Sequence, residues 1–371
     1  MPFQFMPPDG YRNTVTFPQK PANETAFRDQ IMSLLDQARD YINNVLPIEI
    51  GGGLSRNAFV NPRFKFWQRG TNSSGVDYLA DKWRLLRDGS GQVHNVSRQS
   101  FTLGQSAVPG NPEFFWRYQV TSAASGQTYN ALVHRIEGVK TFAGSKATVS
   151  FYAKANTNKQ IIVKGTQDFG SGGSPSTRNT FETTSPITLS SNWKKYSYTF
   201  TIPAISGKFL GSNSDDYLEV AFWFPNNDTY VIDLAEMVFN IGDAALPLQP
   251  REEALELLLC QRTFEKSYDV ETPPGSTGTM QGIYNHVGSP STATGIGILV
   301  NFKVPKRSVP IISLYDMIGN VGKLSSWNGG SQSNNLSAAI DQISMNKFRV
   351  LATVSSGNYE LYGHYTASCD L

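Results

Sequence analysis

Cysteine and charge are both scarce in this sequence of 371 residues. Its two cysteines, Cys260 and Cys369, are too few for a disulfide framework. Charged residues make up 17% of the chain and the net charge is +2, with no basic stripe, so nucleic acid is not expected as a partner. No apolar run approaches the roughly 20 residues of a membrane span, and the first residues lack the pattern of a secretory signal. We therefore expect a protein made in a cytosol, without membrane insertion.

Motifs for catalysis are missing as well. There is no nucleophile elbow, phosphate loop or paired Cys-x-x-Cys, and the four histidines are too far apart for metal-ligand spacing. We therefore expect no enzyme and no cofactor. Acidic residues in loops leave one alternative open, because such oxygens suit a structural calcium ion. The candidate metal ligands are Asp215, Asp216 and Asp228.

A proline-rich segment over residues 1–21 predicts an extended arm, and a helix follows it. Apolar residues then recur at spacings of 4, 3, 4, 3 and 4, which is a heptad seam typical of a coiled coil. The seam residues are Phe27, Ile31, Leu34, Ala38, Tyr41 and Val45. A stripe this wide needs a partner. Self-association, as a homotrimer, is one solution, and packing onto the next domain is the other.

Pro47 and the triple glycine Gly51-Gly52-Gly53 end this segment, so residues 1–53 are predicted to be an arm with an oligomerisation helix. Residues 54–250 alternate apolar and polar positions, as in Ala147, Val149 and Phe151, which predicts an antiparallel β-sandwich. Residues 251–371 are predicted to be a short linking helix, Arg251 to Lys266, and a smaller β-sandwich. The apolar residues of this helix, namely Leu255, Leu258, Leu259 and Cys260, predict a broad buried face. The expected fold is therefore mainly β.

Loop aromatics are the candidates for binding a sugar, because a ring stacks on the C–H face of a saccharide while amides bond its hydroxyls. The segment Ser326–Gly330 places Trp327 and Asn328 in a polar loop. The segment 128–130 places Tyr129 and Asn130 in a similar one. We interpret Trp67, Trp83 and Trp193, by contrast, as packing residues.

Four segments together resemble bacteriophage tail-fibre and receptor-binding proteins with a jelly-roll domain like that of carbohydrate-binding modules. They are Asp9-Gly10-Tyr11-Arg12-Asn13, the stretch from Asn61 to Trp83, the segment from Ser191 to Pro203, and the stretch from Ile232 to Arg262 with Arg251-Glu252-Glu253 and Cys260-Gln261-Arg262. One departure is Asn240, where the family commonly has a glutamate.

The resemblance implies a virion structural protein that is assembled in the host cytoplasm, trimerises, contacts other virion proteins through residues 1–50 and attaches to a glycan or protein of the host surface. One alternative is a capsid decoration protein or head fibre whose sandwich is mainly a spacer. A glycan-degrading enzyme and a secreted lectin are further alternatives, disfavoured by the missing acid/base motif and the missing signal.

Overall fold

The computed structural model describes Gln4–Phe5, Val15–Thr16, Ser33 and residues 57–371 except Val76. Strands make up 45% and helix 3%, which confirms a mainly β protein. Residues 1–55 and 56–371 form two compact units. In the first unit, strands β1 (Gln4–Phe5) and β2 (Val15–Thr16) pair antiparallel, so part of the predicted arm is a ladder. Ser33 is helical, and the six seam residues of the predicted coiled coil lie outside the described residues.

Two antiparallel sheets begin the second unit. The front sheet has the order β11-β10-β14-β8-β5-β4, with β12 also on β10. Its strands are β4 (Asp77–Tyr78), β5 (Trp83–Arg87), β8 (Asn130–Glu137), β10 (Gln160–Asp168), β11 (Asn179–Glu182), β12 (Ile187–Thr188) and β14 (Tyr217–Trp223). The back sheet has the order β13-β9-β15-β7-β6-β3. Its strands are β3 (Asn72–Ser73), β6 (Val93–Ser100), β7 (Phe114–Ser122), β9 (Lys146–Ala155), β13 (Lys194–Thr201) and β15 (Tyr230–Ile241).

The two sheets pack face to face because each strand turns its alternate apolar residues inward. Phe151 of the back sheet meets Phe222 of the front sheet with ring centroids 5.1 Å apart. Both are fully buried in one core cluster that draws on both sheets, as the alternating pattern predicts. The polar residues of β9, which the alternating pattern predicts to face solvent, are less exposed than expected. Thr148 and Ser150 are buried there, and the Thr148 hydroxyl donates to the carbonyl oxygen of Gly242.

The segment that enters the sandwich is organised by Asn61, whose positive φ of 55° turns the chain. Its side-chain amide donates to the carbonyl oxygens of Phe66 and Asp81. Its own carbonyl oxygen accepts from the indole of Trp83, which is buried, as is Trp67. The prediction that these two tryptophans are packing residues is confirmed.

A short helix follows, α1 (Glu253–Gln261), and it ends earlier than the predicted Lys266. The residues that were expected to extend it form strand β16 (Phe264–Lys266) instead. Leu255 and Leu258 are exposed, so the predicted broad apolar face of the helix is wrong. Cys260 alone of the predicted apolar set is fully buried, and burial raises the pKa of its thiol well above the usual value.

The last sheet has the order β16-β23-β20-β21-β22-β18, with β17 and β19 also on β23. Its other strands are β17 (Tyr284–Gly288), β18 (Thr294–Asn301), β19 (Ile311–Tyr315), β20 (Lys323–Trp327), β21 (Gln332–Asp341), β22 (Lys347–Val354) and β23 (Tyr359–Ser368). From the sequence we expect a long polar loop between Val304 and Phe348, but strands β19, β20 and β21 lie there. β21 exposes Gln332, Ser333, Asn335 and Ser337, so the apolar alternation that marks a strand is weak in its first half.

Several hydrogen bonds join this last sheet to the sandwich within the second unit. The buried Lys266 ammonium donates to the carbonyl oxygen of Gln68 at 2.7 Å. The Gln68 amide donates in return to the carbonyl oxygen of Phe264, and the Tyr78 hydroxyl donates to that of Leu371. Because these bonds lie across the junction, separating the two β-regions would remove them from polar groups that are buried there, which costs stability.

Candidate ligand-binding cleft

A cleft of about 660 Å³ lies on the outer face of the front sheet. Since successive strand residues point to opposite faces, the residues between the core positions of β8, β10 and β14 line it. Arg135, Lys164 and Glu219 occupy such outward positions. The full lining is Leu86, Tyr129, Arg135, Lys164, Gly165, Thr166, Arg178, Thr180, Phe181, Glu182, Tyr217, Glu219, Ala221 and Trp223.

Two aromatic rings form one end of the cleft. Tyr129 and Trp223 meet nearly perpendicular, with ring centroids 4.4 Å apart. They pack over Ala131, Val133 and Ala221, whose small or short side chains let the rings lie close to the sheet. Burial, and then the negative charge of Glu219, raises the pKa of Tyr129 to about 12, so its phenol is neutral near pH 7.

The turn before β8 fixes the backbone of Tyr129. The Asp88 carboxylate accepts hydrogen bonds from the backbone amides of Thr128 and Tyr129, both at 2.8 Å, and from the Thr128 hydroxyl. The Thr128 hydroxyl is the main reason that the pKa of Asp88 lies below its ordinary value. This carboxylate therefore holds the turn in place and, through the backbone of Tyr129, positions its ring.

Ion pairs form the other part of the cleft. Arg135 and Glu219 face each other on β8 and β14, with the guanidinium 2.8 Å from the carboxylate. Lys164 and Glu182 face each other on β10 and β11, also at 2.8 Å. Because both are direct cross-strand pairs, the register of the sheet sets their geometry.

The same cations also contact aromatic rings. The Lys164 ammonium lies 4.2 Å from the ring centroid of Trp223, and the Arg135 guanidinium lies 4.4 Å from that of Tyr217. Burial comes first among the causes that raise the pKa of Tyr217, to about 12. The cleft therefore presents neutral phenols, an indole and charged groups whose positions are already fixed by one another.

A second cleft of about 520 Å³ adjoins the first, and both are lined by Trp223. Ile162 lies beside Trp223 on the neighbouring strand, and the Lys159 ammonium lies 2.6 Å from the Asp228 carboxylate. Trp223 thus stands between two depressions of similar size. An extended ligand that crosses this residue would contact both.

Of the residues predicted to bind ligand, Tyr129 lies in the cleft and Asn130 does not. Asn130 is fully buried, and its amide donates to the hydroxyl of Tyr230 while its oxygen accepts from that of Tyr118. The prediction for Asn130 is therefore wrong. The chain enters β8 at this residue, so neighbours in sequence point to opposite faces of the sheet.

Trp327 and Asn328 lie far along the chain, at the end of β20 and in the turn after it. Trp327 is 41% exposed and stands across from Gln332 and Glu360 on the neighbouring strands. The Asn328 side-chain oxygen accepts from the backbone amides of Gly330 and Ser331, which shapes the turn. A ligand contact at Trp327 stays a prediction.

The acidic residues proposed for calcium have other partners. The Asp215 carboxylate accepts from the amide and hydroxyl of Ser171, and that of Asp216 accepts from the amide of Val139. Asp228 lies beyond the other end of β14, roughly 20 Å away at the rise of a strand. Within the described part of the chain, no group of three or more His, Cys, Asp or Glu residues could hold a metal ion.

Asn240, which replaces the glutamate common in the resembled family, has a structural role here. Its amide donates to the carbonyl oxygens of Ile241 and Ala244 at 2.9 and 3.0 Å. It is buried at the end of β15, where it closes the turn toward Leu246. This side chain therefore supports the turn that leads out of the back sheet.

No protein-family profile and no curated protein matches the sequence. Solved structures that are similar include the enzymatically active domain of tailspike protein 4 from bacteriophage CBA120, with 11% identity and a TM-score of 0.32 over 51% of this chain and 22% of that one. The module TmCBM61 in complex with β-1,4-galactotriose shows 12% identity and a TM-score of 0.29 over 51% of this chain and all of that one.

The CBM22-1 xylan-binding domain from Paenibacillus barcinonensis shows 10% identity and a TM-score of 0.29 over 48% of this chain and 93% of that one. This chain spans less than a quarter of the tailspike chain that it matches. TM-scores near 0.3 are too low to transfer a function.

Among the described residues, no helix is long and apolar enough to cross a membrane.

Proposed function

We propose that the protein binds a glycan in the cleft on the front sheet and serves as an attachment protein on a phage virion. One observation supports glycan binding above the others: the Tyr129–Trp223 pair lies in one cleft with cross-strand pairs of charged side chains. Aromatic faces stack on the C–H groups of a sugar, and fixed charged groups bond its hydroxyls. The cleft has both within about 660 Å³.

The strands give this cleft the rigidity that binding a flexible saccharide requires. Arg135 and Glu219 hold each other, so each is already oriented before a hydroxyl arrives. A preorganised site loses less side-chain entropy on binding than one made of free surface side chains. Because Trp223 also lines the neighbouring cleft, we expect a ligand of several sugar units to bind better than a monosaccharide.

A binding function suits the carboxylates of the cleft better than hydrolysis does. Glycosidases use one carboxyl that gives a proton and a second that acts as a base or nucleophile. The two carboxylates lining the cleft, Glu182 and Glu219, are each paired with a cation. The alternative of a glycan-degrading enzyme predicts new reducing ends when the protein is incubated with a polysaccharide that it binds. We expect none.

The virion role has a different support, namely the ordered set of sequence segments that resembles phage fibre proteins. In that role residues 1–50 contact other virion proteins and gather three copies. A capsid decoration protein with a mainly structural sandwich is the competing proposal. Immunogold labelling of virions separates the two, since label at the tail favours attachment and label over the capsid favours decoration.

A glycan array probed with the full chain tests the binding function. We expect selective binding to a small group of related oligosaccharides, and weaker binding to their monosaccharides. Binding to no member of a broad array, at a protein concentration of about 100 μM, would contradict the proposal, because an array displays many copies of each glycan and multivalent display strengthens even weak binding.

A further inference from the structure

Every cation that lines the cleft, within the described part of the chain, has a carboxylate partner. Arg135 pairs with Glu219, and Lys164 pairs with Glu182. The third cation, Arg178, lies 2.5 Å from the carboxylate of Asp168 at the end of β10. Each cation of the cleft thus already has a carboxylate partner, and two of the three partners, Glu182 and Glu219, line the cleft themselves.

We propose that the cleft selects neutral glycans over acidic ones, an inference that rests on the proposed glycan-binding function. The hydroxyls of a neutral sugar donate to the carboxylates and accept from the cations, so they use both members of a pair without separating them. A carboxylate or sulfate on the sugar can only accept. It meets Glu182 and Glu219 as like charges, and any cation that it binds must be taken from Glu182, Glu219 or Asp168.

The two cross-strand ion pairs differ in how much free energy an anion would need to separate them. Lys164 and Glu182 have side chains 31% and 56% exposed. If this pair is separated, hydration of the two charges replaces part of the lost interaction free energy. Arg135 and Glu219 are 18% and 11% exposed. Taking Arg135 away from Glu219 would leave a nearly buried carboxylate without its cation, which is costly. The selectivity therefore depends mainly on Glu219, with Glu182 as the weaker contributor.

Lys164 also has little freedom to turn toward an anion. Its ammonium is bonded to Glu182 and lies over the Trp223 ring at the same time. A bound anion would have to compete with both contacts. Replacing Glu182 by glutamine removes one of them and a negative charge, while the shape of the cleft stays nearly the same.

The experiment compares neutral oligosaccharides with their uronylated, sialylated or sulfated counterparts of the same backbone, on one array, with the full chain. We expect each acidic form to bind at least about tenfold more weakly than its neutral counterpart, a difference of 1.4 kcal/mol. In Glu182→Gln the ratio of acidic to neutral binding should rise severalfold. In Glu113→Gln, which removes an exposed carboxylate outside the cleft, the ratio should not change.

The outcomes separate the two proposals. Equal or tighter binding of the acidic forms by the wild-type protein would overturn the neutral selectivity and leave glycan binding intact. An unchanged ratio in Glu182→Gln would also count against the role of the ion pairs. Binding to neither form of any backbone would overturn glycan binding itself, and the inference with it.

Discussion

Tyr129 packs its ring nearly at right angles to that of Trp223, with the centroids 4.4 Å apart, on the outer face of the front sheet. The two residues are 94 positions apart in the chain and meet because Trp223 pairs with Ala131 in the ladder between β14 and β8. Both rings pack on Ala131, Val133 and Ala221 and are only partly buried. A ligand that covers them would gain apolar contact that the folded chain leaves unused.

Replacing Trp223 by alanine should weaken glycan binding at least about fivefold, because the ring lines both clefts and stacking on one aromatic is worth ~1 kcal/mol or more. Affinity electrophoresis or calorimetry with a saccharide found on the array measures this. Trp193→Ala is the matched control. Trp193 also contacts two aromatic rings, Phe101 and Phe115, but lies with the back sheet. Equal losses in the two variants would mean that the effect is not local to the cleft.

Replacing Asp88 by alanine should weaken binding while the fold remains, because it releases the turn that places Tyr129. Asp88→Asn retains an acceptor oxygen for the backbone amides, so it should lose less affinity than the alanine variant. Binding constants and circular dichroism of both variants check this. If Asp88→Ala binds as tightly as the wild type, the turn does not position the ring.

The last sheet should depend on a fully buried ion pair. Lys306 and Glu265 lie 2.6 Å apart with no exposure of either side chain, and Tyr365 donates its hydroxyl to Glu265. Lys306→Met leaves that carboxylate without a cation and should destabilise the region by about 3–5 kcal/mol. Chemical denaturation followed by the fluorescence of Trp327, the one tryptophan after residue 250, reports on it.

The double variant Lys306→Met with Glu265→Gln provides the control for that prediction. Glutamine still accepts from Tyr365 and leaves no unpaired buried charge, so part of the lost stability should return. Arg349→Met breaks an ion pair with Asp341 that is far more exposed, and it should change stability little. A double variant as unstable as Lys306→Met would show that the cost is one of packing and not of charge.

Stability should also fall as the pH rises from about 4.5 to 7, because of Glu236. Burial raises the pKa of this carboxyl to about 7, although Arg63 lies beside it. Between these values the folded protein keeps a proton that the unfolded chain has released, so unfolding becomes easier with each step in pH. The expected loss from this group is on the order of 3 kcal/mol.

Glu236→Gln cannot titrate and should flatten that part of the pH profile in urea denaturation. A residual slope is expected, because burial also raises the pKa of Asp81, to about 6. Parallel profiles of the wild type and Glu236→Gln would contradict the assignment.

The heptad seam predicts a trimer, and a single charged substitution in the seam should prevent its assembly. An aspartate in place of Ile31 or Leu34 would put a charge among apolar side chains, so assembly should be lost. Light scattering of the wild type should give three times the chain mass of 40.9 kDa. A wild-type monomer, or unchanged assembly of both variants, would rule out the seam as the contact.

The sequence predicts the strands of the sandwich well because apolar residues alternate along them, as in β9 and β14. The cleft is harder to predict. Of its lining residues the sequence indicates only Tyr129, because this aromatic residue lies in a short polar segment. Arg135, Lys164 and Glu219 occupy the polar positions of three separate strands, where they look like ordinary solvent-facing residues. They come together only because β14 lies between β8 and β10 in the sheet. A single sequence does not reveal which strands are neighbours, so the cleft could not be predicted from it.

The structure of the protein with a saccharide from the array tests glycan binding most directly. We predict a sugar ring against Trp223 and Tyr129, with hydroxyls bonded to Arg135 or Glu219. A saccharide bound only near Trp327, or elsewhere than on the front sheet, would contradict the assignment of the cleft.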